Sequence, residues 1–113
     1  MEIFTTKYDT CDIVKAQGRI DSLTSPQLAE AIKLITDDGR FNIVLDMELV
    51  NYLSSAGLRV LIDVQKKCRR EKQGELVLVK VPQRIYETLD LAGFVHLFKF
   101  IDDTSAAIDS FVN

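Results

Sequence analysis

Two adjacent serines, Ser54 and Ser55, stand in the stretch VNYLSSAGLRVLI, residues 50–62, between apolar segments and just ahead of a helical pattern. A serine at a helix start has three uses. It is a nucleophile where a base lies beside it, a cap where its oxygen accepts a backbone N–H, or a phosphate carrier where the helix dipole favours an anion. The nucleophile reading finds no support. His96, the single histidine, falls in GFVHLF near the last apolar run, where a structural or surface role is expected, so no Ser–His–Asp triad is assembled. Neither serine occupies a G-x-S-x-G elbow, Gly57 stands alone rather than in a phosphate-cradling loop, and no metal-ligand spacing occurs. No enzymatic activity, metal or cofactor is expected.

Asp46 and Lys80 each end an apolar run, which superficially suits an aspartate phosphoacceptor of the receiver type. That chemistry needs a divalent ion and further carboxylates after the first parallel strand. Asp21 is one such carboxylate, but it has no acidic neighbour. A phosphate on Ser55, by contrast, would add about two negative charges and three strong acceptors at a helix start without unfolding it. On local physics alone, cap and switch both remain open for Ser55.

The elements that must position these residues follow from pattern. With 113 residues, 47% hydrophobic and 27% charged, the chain is expected to fold as one domain, residues 1–113, with a core that needs no staples. A net charge of -3 lacks the basic excess that nucleic-acid binding requires, so proteins or small molecules are the expected partners. Cys11 and Cys68, far apart and without a CxxC spacing, read as free buried thiols in a reducing compartment. The start, MEIFTTKYDT, has no apolar signal core, and no run approaches the roughly 18 residues of a membrane span, so a cytoplasmic protein without membrane contact is expected.

EIFTTKY and CDIVKAQGRI read as an antiparallel hairpin turning at Asp9-Thr10. A helix follows, with Ser25 as N-cap, Pro26 at its first position and Gly39 as terminator; Leu28, Ile32 and Ile35 share a face. FNIVLDM reads as a strand buried on both faces. A second helix runs from Ser55 to about residue 70, with Gly57, Val60, Leu61, Val64 and Cys68 as its buried stripe and the basic run 66–70 as a solvated end. ELVLVKV is the next strand, Pro82 opens a third helix holding Ile85 and Leu89, and Gly93 ends it. LFKFI is the last strand, and Asp103 or Thr104 caps a final helix with Ile108 and Phe111. Phe41, Phe94, Phe98 and Phe100 are expected in the core.

The order ββαβαβαβα specifies an α/β domain: a mixed, mainly parallel sheet with an antiparallel N-terminal edge strand and four helices. Functional surfaces of such sheets lie beyond the carboxyl ends of the strands. Segments 18–25, 46–55 and 80–83 are then expected to meet on one rim, with Ser54 and Ser55 at its middle.

The stretch IVLDMELVNYLSSAGLRVL, with Asp46 and Tyr52 in place, closely resembles the signature of anti-sigma-factor antagonists of the STAS-domain family. AQGRIDSLTSPQLAEAI resembles the family's Gly-x-hydrophobic-Asp element, with Gly18 and Asp21 matching. The resemblance spans nearly the whole chain and implies a single STAS-like domain. It implies that Ser55 is the phosphorylated serine, with Ser54 where well-understood members have Asp, Ala56 where they have Ser or Thr, and Arg59 where many have Gly. The implied partner rim comprises Asp21, Ser22, Thr24, Asp46, Ser54, Ser55, Ala56, Gly57 and Arg59. The implied mechanism is partner switching. The unphosphorylated protein, a monomer or weak dimer, binds an anti-sigma factor that is also an ATP-binding serine kinase, freeing a sigma factor. Phosphorylation of Ser55 ends the contact, and a PP2C-type phosphatase resets it. The alternative is a STAS docking subunit without a phosphorylation cycle, serving a lipid-transport ATPase or a larger signalling complex.

Overall fold

The structure, a computed structural model, describes residues 1–111, the Lys72 side chain apart. Its elements are β1 (Glu2–Lys7), β2 (Asp12–Ile20), α1 (Ser25–Asp37), β3 (Asn42–Leu53), α2 (Ser55–Lys72), β4 (Glu75–Val79), α3 (Gln83–Leu91), β5 (Lys99–Ile101) and α4 (Thr104–Asp109), with a 3-10 turn at Val95–Leu97. The strands lie side by side in chain order, β1 antiparallel to β2 and the remaining pairs parallel. The expected order and mixed sheet are both present.

That strand order fixes the layers. Each parallel crossover advances one strand in the same direction, and right-handed connections then place α1, α2 and α3 on one face. Leu28 and Ile32 of α1, Leu58 and Leu61 of α2, and Ile85 and Leu89 of α3 accordingly share a core with Val14, Ala16, Ile43, Leu45, Met47, Leu76 and Leu78. Among the described residues the opposite face carries only the short α4, whose Ala107 packs with Cys11, Ile13, Val44, Val77 and Val79. Cys11 and Cys68 are free, buried and divided between the two cores. Burial raises both thiols, Cys68 to about 11, which keeps it protonated and unreactive near neutral pH.

β3 departs most from expectation. It does not stop near residue 47 but continues to Leu53, and residues 47–53 reach past β4, pairing with β2 through two register shifts. Gly18 lies at one of these irregularities with φ +107, a backbone geometry that strongly favours glycine. The continuous apolar run of FNIVLDM stops at the first shift, where Glu48 and Leu49 are exposed, so the sequence reads as though the strand ended there. β4 ends at Val79 rather than residue 81, because Lys80 turns to φ 54. β5 is shorter than LFKFI, its first residues being taken into the 3-10 turn.

The helix ends also correct details. Ser25 is not the N-cap of α1: Thr24 holds that position without a side-chain cap bond, and Ser25 is a buried helical residue. Asp103, rather than Thr104, caps α4, accepting from the Ala106 N–H at 2.8 Å. In α2, Val60 and Val64 are only half-buried, while Leu58 and Gln65 are buried beside Gly57, Leu61 and Cys68. Phe98 is buried, Phe41, Phe94 and Phe100 pack partly buried against the main core, and His96 is exposed. Among the described residues, no helix is long and apolar enough to cross a membrane.

Gln65 has no accessible surface, and its bonds explain its place. Its Oε1 accepts from the Leu76 N–H at 2.8 Å, and its Nε2 lies 3.2 Å from the Leu76 carbonyl, 3.0 Å from the Leu97 carbonyl and 2.7 Å from Glu75 Oε2. β5 begins to pair only at Val77, so the amide satisfies β4 just before the neighbouring strand arrives. Gln65→Leu preserves volume but strands buried backbone groups, so chemical denaturation should show a loss of about 1–3 kcal/mol.

Candidate functional site

The two serines are chemically distinct. Ser54 is the N-cap of α2: its backbone is extended, and its Oγ accepts from the Gly57 N–H at 3.2 Å. Its own N–H donates to the Ile20 carbonyl at 2.9 Å, tying the β3–α2 junction to the end of β2. Ser55 is the first helical residue, is exposed, and makes no side-chain hydrogen bond among the described residues. Ala56 beside it is half-buried and Arg59, one turn on, is exposed.

Gly57 is buried under the first turn of α2. A Cβ there would lie 2.6 Å from Ile20 Cγ2, 2.8 Å from Leu53 Cδ1 and 2.9 Å from the Ile20 carbonyl oxygen. The missing side chain thus lets α2 begin directly against the ends of β2 and β3.

The β2–α1 loop forms the other half of the site. Asp21 Oδ1 accepts from the Leu23 and Thr24 N–H groups at 3.0 and 3.1 Å. The Thr24 hydroxyl accepts from the Asp21 N–H at 2.9 Å and donates to the Arg19 carbonyl at 2.7 Å. Desolvation pushes the Asp21 carboxyl up, but the Thr24 and Leu23 N–H groups and the Arg19 side chain together outweigh it and hold it below the usual carboxylate range. Arg19 Nε lies 3.3 Å from Asp21 Oδ2, and its guanidinium stacks 4.2 Å from the centroid of the Tyr52 ring. This chain of contacts connects the β2–α1 loop with the end of β3. Ser22 is exposed, and Leu23 beside it is 88% exposed.

Of the expected rim, then, Asp21, Ser22, Thr24, Ser54, Ser55, Ala56, Gly57 and Arg59 occupy one end of the β2–β3 pair. Asp46 does not. It sits within β3, opposite Lys15 and Val79, buried, with its Oδ1 accepting from the Glu48 N–H at 3.0 Å. A strand rise of about 3.3 Å per residue puts it roughly 20 Å from the Leu53 end. Segment 80–83 stays at that lower level with it, Lys80 Nζ lying 4.0 Å from Glu48 Oε1, so two loops rather than three form the rim. Arg19 and Leu23 were not singled out by sequence. Arg19 becomes visible only once the register sets it opposite Tyr52, and Leu23 only because the loop leaves it without a core contact.

No group of three or more His, Cys, Asp or Glu side chains could hold a metal ion among the described residues. A cleft of about 620 Å³ lies between β1 and α1 over Ile3, Leu34 and Arg40, and neither serine lines it. The site is therefore a surface with an exposed hydroxyl at a helix N-terminus, at the same end of the β2–β3 pair as the exposed Leu23 and the Arg19–Asp21 pair.

Comparison with known proteins gives a consistent result. The family model described as STAS domain matches residues 2–107. BtrV of Bordetella bronchiseptica, named as an anti-sigma factor antagonist, is 34% identical over 98% of this chain and 95% of its own length. A Thermotoga maritima protein, its crystal structure also described as that of an anti-sigma factor antagonist, superposes with a TM-score of 0.90 at 17% identity, covering 98% of this chain and 95% of that one. The Bacillus cell fate determinant SpoIIAA, solved in its phosphorylated form, superposes with a TM-score of 0.76 at 14% identity, over 96% of this chain and 98% of that one. At these identities the two structures speak for the fold.

Two expectations test the geometry. Gly57→Ala should destabilise the domain by about 1–3 kcal/mol in denaturant titrations, since the Ile20 carbonyl is backbone and cannot rotate aside. Asp21→Ala should lower Tm at pH 7. A carboxyl whose folded pKa is depressed contributes fully above its unfolded value of about 3.9 and loses that contribution as pH falls through the folded value. The gap between the variant and the parent should therefore narrow in melts below pH 4.

Proposed function

The chain belongs to the STAS domain family, and from that premise we propose that it is an anti-sigma factor antagonist switched off by phosphorylation of Ser55. The unphosphorylated protein binds an anti-sigma factor through the rim, and the sigma factor held by that protein is released. It acts by binding and is not itself an enzyme; ATP belongs to the partner, which is both anti-sigma factor and serine kinase. The relatives named as anti-sigma factor antagonists support the first part of this reading.

One observation carries the switch. Ser54 is committed to the cap, whereas the Ser55 hydroxyl is exposed and makes no hydrogen bond among the described residues, at the end of a helix that favours an anion. In the transfer, Ser55 Oγ bonds to the γ-phosphorus as the bond to the β–γ bridging oxygen breaks. ADP departs, and the hydroxyl proton passes to a base on the kinase. Because no fold contact uses that hydroxyl, the modification changes the surface and leaves the fold standing. A PP2C-type phosphatase reverses it by hydrolysis.

The partner surface comprises Asp21, Ser22, Leu23, Thr24, Tyr52 and the first turn of α2. Leu23 supplies an exposed apolar anchor of the kind that dominates interfaces when a partner pocket receives it. A phosphate placed beside it adds bulk and about two negative charges, which a pocket fitted to a neutral serine meets with repulsion and desolvation.

Incubation with the cognate kinase and ATP, followed by site mapping, should place one phosphate on Ser55 in the parent and in Ser54→Ala, and none on Ser55→Ala. Ser54→Ala should cost about 1 kcal/mol of stability through its cap. Ser55→Asp should weaken capture of the anti-sigma factor at least tenfold in calorimetric titration, while Ser55→Ala keeps it. Binding unaffected by Ser55→Asp, with no phosphate at Ser55, would overturn the reading.

A further inference from the structure

We propose that Arg59 is the intramolecular counter-ion of a phosphate on Ser55, so that the modified surface is one in which Arg59 has been withdrawn from the partner. The inference rests on the phosphorylation of Ser55 proposed above and assigns a role to a side chain on which that reading does not depend.

Ser55 and Arg59 are exposed residues four apart on α2, the spacing at which side chains stand over one another on a helix surface. Arg59 makes no ion pair among the described residues, in contrast to Arg19, Arg40, Arg69 and Arg70, each of which meets a carboxylate. Asp63, one further turn on, lies at the next i,i+4 position, and it makes no salt bridge with Arg59 among the described residues. Charge at this helix end is one-sided. The first turn of α2 has no acidic residue, and the Ser55 and Ala56 N–H groups have no acceptor among the described residues. Positive dipole end and positive side chain thus lie within the first two turns of one helix with no acidic residue in the first turn, an arrangement the macrodipole disfavours.

A phosphate on Ser55 reverses that balance. The guanidinium offers planar paired donors that match phosphate oxygens, and its long side chain reaches back one turn without backbone movement. The local charge changes from about +1 to roughly -1 rather than -2, part of the new charge being met within the same molecule. Two consequences follow for the switch. The phosphorylated helix is more stable than the unmodified one, so the off state is not a loosened one. A partner acid that met Arg59 in the docked complex also loses it to the phosphate, so that one modification both adds a repulsive group and removes an attractive one.

The test separates this pairing from the kinase reaction by installing phosphoserine at residue 55 during translation. Phosphorus NMR titration and thermal melts are run on the parent, Arg59→Gln and Arg59→Lys. The second ionisation of the phosphate, ordinarily near pH 6, should lie about half a pH unit lower in the parent than in Arg59→Gln, with Arg59→Lys restoring most of the difference. Phosphoserine should also raise Tm more in the parent than in Arg59→Gln, and both differences should shrink at about 1 M salt. Equal titration midpoints and equal Tm increments in the three proteins would overturn the pairing. Absence of Ser55 phosphorylation by the kinase, with the titration difference intact, would instead overturn the proposed switch and leave the pairing standing.

Discussion

Everything at this site depends on how closely the first turn of α2 can approach the ends of β2 and β3. Gly57 sets that distance. Side-chain and backbone atoms of Ile20 and a methyl of Leu53 occupy the space a Cβ would need. The Ser54 N–H bond to the Ile20 carbonyl locks the same junction from the other side. With the helix seated there, Ser54 must turn inward to cap it, and its neighbour is left pointing outward. The difference between the two serines is therefore a result of packing, since residue type alone does not distinguish them.

The same seating brings the β2–α1 loop into register with α2. β3 has to run past β4 for its end to reach Ile20, and the two irregularities against β2 are how the pairing accommodates that length. Once Arg19 lies opposite Tyr52, its guanidinium bridges ring and Asp21, and Asp21 in turn organises the N–H groups ahead of α1. A carboxylate that the resemblance placed on the partner rim is thus also the organiser of its own loop. Its depressed pKa reflects bonds made within the loop, which a functional-site search based on titration alone would misread.

The architecture was legible because apolar runs, turn residues and helix caps repeat the same message across levels: four helices, five strands and a mixed sheet all follow from pattern. What escaped was set by neighbours distant in sequence. The continuation of β3 through MELVNYL is hidden because a bulge breaks the period-two code, and that error moved Asp46 onto a rim from which it lies several strand residues away. Ser25 resembled a cap by type, but the Asp21 side chain already supplies the loop's local acceptor. Gln65 gave no signal at all: a glutamine on a helix reads as surface until an unpaired stretch of β4 is placed beneath it. Local pattern left cap and switch open for Ser55, and only the motif's resemblance singled it out; that Ser54 takes the cap and leaves Ser55 exposed is set by the packing of the junction.

A phosphorylation switch of the kind proposed has to satisfy a narrow requirement on so small a domain. Total stability of such domains is about 5–15 kcal/mol, and a single cap contributes about 1 of it. Phosphorylating Ser54 would remove an acceptor the helix uses and would couple the signal to partial unfolding. Phosphorylating Ser55 would break no side-chain hydrogen bond found among the described residues, and the new charge would lie where the dipole is positive. Signal and stability are then independent, or reinforce one another where Arg59 closes on the phosphate. A partner in the proposed switch would consequently have to read the surface itself rather than a change of fold. The features available to it are few: an exposed Leu23, the Arg19–Tyr52 stack and the charge on one turn of helix. A surface read through so few contacts is one in which a single phosphate can decide between bound and free.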